Sequence, residues 1–134
     1  MPERFEVYLC EKCGNIVEII KGGGSEIHCC GQPMKKLEPK TADPNTEKHV
    51  PSIEKKCRKF TISVGKKESH PMSDDHFIEW IEIIAEDGIP TQARYFLKPG
   101  EEPVAEFRVE TNKAVIRSYC NKHGLWKNTY ENKK

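Results

Sequence analysis

No stretch of this sequence approaches the ~18 consecutive apolar residues of a membrane-spanning helix, and the opening Met-Pro-Glu-Arg-Phe-Glu-Val-Tyr-Leu-Cys lacks the apolar run of a signal peptide. The chain is therefore expected in the cytoplasm, with no membrane partner. Nor does one sign of charge dominate: 22 Lys and Arg against 21 Asp and Glu leave a formal net charge of +1. Without a basic excess there is no electrostatic footprint for a nucleic-acid backbone. Long repeats and low-complexity tracts are also missing. What is present is a soluble composition, 36% apolar and 32% charged over 134 residues, enough for one moderate core or for a small domain beside a modest one.

Cysteine and histidine are distributed unevenly. Cys10, Cys13, Cys29 and Cys30 crowd the first quarter, while Cys57 and Cys120 stand alone. Histidine shows the opposite bias, with His28 early and His49, His70, His76 and His123 later. A reducing cytoplasm keeps thiols free, so these cysteines read as metal ligands or reactive thiols rather than as a disulfide framework. The asymmetry points to two different sites.

The flow of the chain agrees. Residues 1–37 hold the cysteine cluster, two short apolar runs (5–9 and 16–20) and the turn Gly22-Gly23-Gly24. From 38 to 48 the sequence is almost free of apolar residues and carries Pro39 and Pro44, which favour extended or turn backbone and suit a linker. Residues 49–134 read as short strands over 50–55, 60–64, 77–85, 91–97, 104–109 and 114–119, punctuated by Gly65, Asp87-Gly88, Lys98-Pro99-Gly100 and Thr111-Asn112. That spacing predicts an all-β sandwich or barrel. Phe77, Trp80, Ile81 and Ile84 would also form a helical stripe; β-branched and aromatic content and the Asp87-Gly88 hairpin signal favour a strand.

Cys10-x-x-Cys13, then fifteen residues, then Cys29-Cys30 supplies four thiolates, enough to close a tetrahedral site around zinc or iron. A zinc ribbon or a disulfide pair would use the same residues. Adjacent cysteines on an extended chain point to opposite faces, so using both requires a bent backbone or a distorted site. A fragment this short needs such a staple. With four sulfurs available, His28 is not expected as a ligand.

In the second half, Cys120-x-x-His123 has knuckle spacing, with Asn121 and Gly124 suited to a turn, and His49, His70 and His76 lie beside turn or strand-edge signals. Four imidazoles and one thiolate exceed a closed zinc tetrahedron. Five such ligands with one vacancy suit iron that reacts with a small oxidant, the thiolate pushing electron density toward it. A nucleic-acid-binding zinc protein, a zinc hydrolase and a saturated electron carrier are the competing readings. Trp80, Trp126 and Met72 are expected in packing, Cys57 has no assigned role, and Lys55, Lys56, Arg58 and Lys59 read as a solvated basic turn, with a docking patch for an acidic electron donor as the alternative.

The full set of motifs resembles the two-centre desulfoferrodoxins: Cys10-x-x-Cys13 with Cys29-Cys30, then Glu47-Lys48-His49-Val50-Pro51, His70-Pro71-Met72, His76 and Cys120-Asn121-x-His123-Gly124-x-Trp126, in this order and nearly end to end. The resemblance implies a mainly β protein, a desulforedoxin-like four-cysteine domain followed by an immunoglobulin-like β sandwich. It further implies two irons per chain, one on Cys10, Cys13, Cys29 and Cys30, the other on His49, His70, His76 and His123 with axial Cys120. The implied activity is superoxide reduction to hydrogen peroxide, with Lys48 attracting the anion at the open face and Glu47 closing the sixth position after oxidation. A homodimer and a rubredoxin-like electron donor are implied as well.

Overall fold

The computed structural model describes residues 2–41, 49–65 and 70–132, and among them every regular element is a strand. Two compact units emerge, Met1–Glu38 and Pro39–Lys134.

The first unit contains β1 (Val7–Leu9), β2 (Ile16–Glu18), β3 (His28–Cys29), β4 (Gln32–Pro33) and β5 (Lys35–Leu37). β1 is central to an antiparallel sheet of order β2-β1-β5, and β3 pairs with β4 as a separate ribbon. Its buried apolar side chains, among the described residues, are Val7, Cys10 and Met34. Burying one such side chain contributes about 1.5–3 kcal/mol, so a core this small cannot offset the ordering entropy of the unit by itself. One of the three is a cysteine of the cluster.

The second unit contains β6 (Pro51–Lys56), β7 (Lys59–Val64), β8 (Ile78–Ala85), β9 (Thr91–Phe96), β10 (Val104–Arg108), β11 (Lys113–Cys120) and β12 (Gly124–Glu131). They form two antiparallel sheets, β10-β7-β6 and β12-β11-β8-β9. β7 alternates strictly, with Phe60, Ile62 and Val64 inward, and these meet Ala105 and Phe107 of β10 and Ile78, Ile81, Ile83, Ala114 and Ile116 of the larger sheet. This period-two pattern on facing sheets makes a β sandwich.

The ambiguous segment is a strand from Ile78 to Ala85, buried on both faces. Ile81 and Ile83 enter the core, while Trp80 stacks on Tyr119 across the sheet at 4.6 Å between ring centroids. Glu82, on the Trp80 face, is fully buried and accepts hydrogen bonds from Arg117 of β11 and Arg94 of β9. A double-sided strand loses the polar alternation that normally marks β structure.

Pairing changes register at one end of this sheet. Tyr119 opposes Trp80, but Cys120 opposes Ile78, leaving Glu79 as an extra residue on β8. The bulge re-aims the last residue of β11 at the sandwich end.

Candidate metal centres

Antiparallel pairing brings four chain segments to one end of the sandwich. Pro51 at the start of β6 pairs with Val64 at the end of β7, and Ile78 at the start of β8 pairs with Cys120 at the end of β11. His49 immediately precedes β6, His70 and His76 lie between β7 and β8, and His123 sits in the β11–β12 turn. Gly124 takes a φ of +86° there, a conformation that a side chain would strain.

The four imidazoles form a closed ring. Successive centroids are 4.9 Å apart for His49 and His70, 4.8 Å for His70 and His76, 5.0 Å for His76 and His123, and 4.5 Å for His123 and His49. Cys120 is fully buried in the hydrophobic core and brings its Sγ to 3.7 Å from His123 Nδ1. One ligand atom from each of these five residues lies within 4.8 Å of all the others.

The donors fit a cation. His70 Nδ1 is engaged with the Pro71 carbonyl at 2.7 Å, leaving Nε2 buried without a hydrogen-bond partner, and His76 Nε2 is in the same state. Orphaned buried nitrogens are costly unless something binds them. Burial holds His70 down to about 4 and also lowers His76, so both imidazoles are neutral near pH 7, the form that ligates a metal. Burial likewise pushes the Cys120 thiol up, so a bound cation would take the place of its proton.

Backbone and aromatic contacts hold the ring from outside. Asn121 Oδ1 accepts the Phe77 N–H at 2.9 Å and Asn121 Nδ2 donates to the Asp75 carbonyl at 3.1 Å, tying the His76 segment to the Cys120 turn. Ser118 Oγ donates to the His49 carbonyl at 3.1 Å. Trp126, nearly buried, stacks on His49 with 4.9 Å between centroids and donates through Nε1 to the His123 carbonyl at 3.1 Å.

The four cysteines of the first unit also converge. Cys13 Sγ is 3.5 Å from Cys29 Sγ, and Cys29 Sγ is 4.0 Å from Cys30 Sγ. Metal–sulfur bonds of about 2.3 Å would set tetrahedral sulfurs ~3.8 Å apart, between those two values. The problem of adjacent cysteines is solved in the backbone: Cys30 adopts a φ of +55°, which turns its side chain toward the same centre as Cys29. The knuckle closes with a Gly14 N–H to Cys10 carbonyl bond of 2.8 Å.

Charge in this cluster is equally tuned for a cation. Backbone N–H groups of Cys13 and Lys12 aimed at Cys10 bring its thiol down to about 6. Cys30, crowded by the sulfurs of Cys13, Cys10 and Cys29, is pushed up to about 12. Four sulfurs cannot all ionise together unless positive charge joins them.

Other expected residues fall as follows. His28 is exposed and outside the sulfur cluster, and Cys57 is exposed in the β6–β7 turn. Trp80 and Trp126 are buried, and Met72 packs against the core while its sulfur accepts the Ile78 N–H at 3.4 Å. Three of the basic residues around the β6–β7 turn are engaged locally, Lys55 over Phe60 and Tyr130, Arg58 with Glu110 and Lys59 with Glu106. Glu47 and Lys48 lie outside the described residues. Sequence spacing missed the clamp made by Asn121 and the stacking of Trp126 on His49; a turn-forming Asn beside a ligand was the available signal for the first.

Comparison with known proteins places these centres in context. Residues 41–129 match the family model described as Desulfoferrodoxin, and residues 2–37 match Desulfoferrodoxin, N-terminal domain. The desulfoferrodoxin of Nitratidesulfovibrio vulgaris is 49% identical over 127 residues, spanning 95% of this chain and 98% of that protein. Among solved structures, the superoxide reductase from Nanoarchaeum equitans is 37% identical with a TM-score of 0.57, covering 71% of this chain and all (100%) of that one. The superoxide reductase from Treponema pallidum shares the fold across 92% of this chain and 96% of its own, with a TM-score of 0.72 at 21% identity.

Proposed function

Because this chain belongs to the desulfoferrodoxin family, we propose that it is a superoxide reductase whose catalytic centre is built from His49, His70, His76, His123 and Cys120. The observation that carries this reading is the closed ring of four imidazoles with a buried cysteine sulfur beside it. Iron held there supplies the single electron that superoxide needs. Two protons complete its conversion to hydrogen peroxide.

The protein's own groups do the rest. His70 and His76 are kept uncharged by burial, so they bind a cation without first releasing protons. Cys120 reaches the ring from the core, which keeps water from its sulfur and directs reactivity to the exposed side, where His123 lies. Lys48, next to His49 in the chain, draws the superoxide anion and favours negative charge developing on it. Glu47, beside Lys48 in the chain, would supply a carboxylate for the bound iron when no substrate is present.

Cys10, Cys13, Cys29 and Cys30 hold the second iron. Residues 1–37 act as its domain and 49–134 as the catalytic domain, joined through 38–48, of which Lys40 is bridged to β12. The protein works in the cytoplasm as a homodimer, in oxidative-stress defence, with rubredoxin or a similar small protein as electron donor. No helix among the described residues is long and apolar enough to cross a membrane.

The test is to purify the protein, quantify iron and zinc, and expose the reduced form to superoxide pulses. One superoxide consumed per oxidisable catalytic centre, with peroxide formed and no dioxygen released, is the expected result. Zinc in both sites, or dioxygen as a product, would overturn it.

A further inference from the structure

Two halves of the imidazole ring are supported differently. His70 is buried and fixed by the Pro71 carbonyl, whereas His123 is exposed and His49 only half-buried. The exposed half needs an external brace. Lys40, which belongs to no motif of the site and lies 83 residues from His123 in the chain, is placed to provide it.

Its backbone is locked first. Lys40 N–H donates to the Leu125 carbonyl at 2.9 Å and the Lys40 carbonyl accepts from Lys127 N–H at 2.8 Å, forming a one-residue parallel bridge across Trp126. Its side-chain end is then held twice. Lys40 Nζ donates to the His123 carbonyl at 3.2 Å and lies 5.0 Å from the centre of the Trp126 ring. That same ring stacks on His49, and its Nε1 shares the His123 carbonyl with Lys40. One ammonium therefore touches both routes to the exposed ligands.

We propose that Lys40 is a positioning residue of the histidine centre, bracing His49 through the Trp126 ring and His123 through its carbonyl, and adding a fixed positive charge that helps draw in an anion. This rests on the reading of these residues as the superoxide-reducing centre. The bracing part concerns ligand geometry and applies to any cation the ring holds. An ammonium on an aromatic face and a charge-assisted bond to a carbonyl each add modestly, and their joint loss corresponds to a roughly five- to thirtyfold change in an equilibrium constant.

The experiment uses the full chain with Lys40→Met, which keeps the apolar stem, and Lys40→Arg, which keeps a donor and a charge. Competition against a chelator is measured for ferrous iron and, in parallel, for cobalt(II) added to protein whose four-cysteine centre is already filled with iron, so that the added cobalt–thiolate absorption reports the Cys120 centre. Lys40→Met should weaken binding at this centre about five- to thirtyfold, leave the four-cysteine centre unchanged, and flatten the salt dependence of superoxide capture, with Lys40→Arg restoring most of each. Unchanged cobalt and iron affinity in Lys40→Met would overturn the proposal. Equal weakening in both variants would also overturn it, since the backbone bridge and not the ammonium would then be responsible. A wild-type protein that binds cobalt normally but does not consume superoxide would sink the reductase reading while the affinity comparison still judges the brace.

Discussion

Asn121 and Phe77 hold each other by both backbone and side chain: the Asn121 N–H donates to the Phe77 carbonyl at 3.2 Å, and the Asn121 side-chain oxygen accepts the Phe77 N–H at 2.9 Å. The pair joins the residue after Cys120 to the residue after His76. Two ligands far apart in sequence are thereby set at a fixed spacing.

Asn121→Ala should loosen that spacing. Supporting hydrogen bonds around metal ligands are worth about 10- to 100-fold in affinity, so iron at the histidine centre should fall by that order while the four-cysteine iron stays bound. Chelator competition followed by iron quantification at each centre checks this. Equal loss from both centres would show that Asn121 matters to folding generally.

Glu82→Ala removes the shared partner of Arg117 and Arg94 on the outer face of the larger sheet. Arg117 is only 5% exposed, and breaking a buried pair by deleting one partner costs about 3–5 kcal/mol. Urea unfolding followed by tryptophan emission reads this domain alone, because both tryptophans, Trp80 and Trp126, lie in it. A loss below about 1 kcal/mol would mean that water reaches Arg117 in the variant.

Cys10→Ser should unfold the first unit, since it removes both a ligand and one of the three buried apolar side chains there. Amide exchange would show protection lost over 2–37 and kept in β6 to β12. Protection retained in the first unit would mean that its strands suffice without metal.

The metal-free second domain should weaken in mild acid. His70 binds a proton at about 4 in the folded chain against 6.5 for an ordinary histidine, so between those values the unfolded state takes up more protons. Its contribution to stability is present above pH 6.5 and is lost as pH falls toward 4. The urea midpoint of metal-free protein should decline across this window, and His70→Asn should flatten the decline. No difference between the two profiles would remove His70 as the cause.

Lys48→Ala should slow superoxide capture and reduce its dependence on salt, leaving iron content unchanged. Pulse measurements at several ionic strengths decide it. An unaltered rate and salt slope would take Lys48 out of the reaction.

How much of this could be read from the chain depended on the range of the interactions. β7 was legible because Phe60, Ile62 and Val64 alternate with Thr61 and Ser63. β12 was not, since its buried residues Leu125 and Trp126 are adjacent and the rest of the strand is polar; pairing with β11 holds it. β5, Lys35–Leu37, likewise owes its form to β1. The metal ligands stood out through residue type and spacing, whereas the left-handed turn at Cys30 is an unusual choice for a side chain and follows from convergence on one centre. Glu82 and Lys40 were invisible because sheet register and a single bridge decide their neighbours.

The ligand positions also differ in how much of the fold each centre needs. Cys10 to Cys30 span one short segment, so metal can join while that segment is still forming and can direct how it folds. His49 and His123 meet only where the start of β6 lies against the β11–β12 turn, because they are carried by strands far apart in the chain. The two centres thus make different demands on the fold: the first needs only its own short segment in place, the second the docked sandwich.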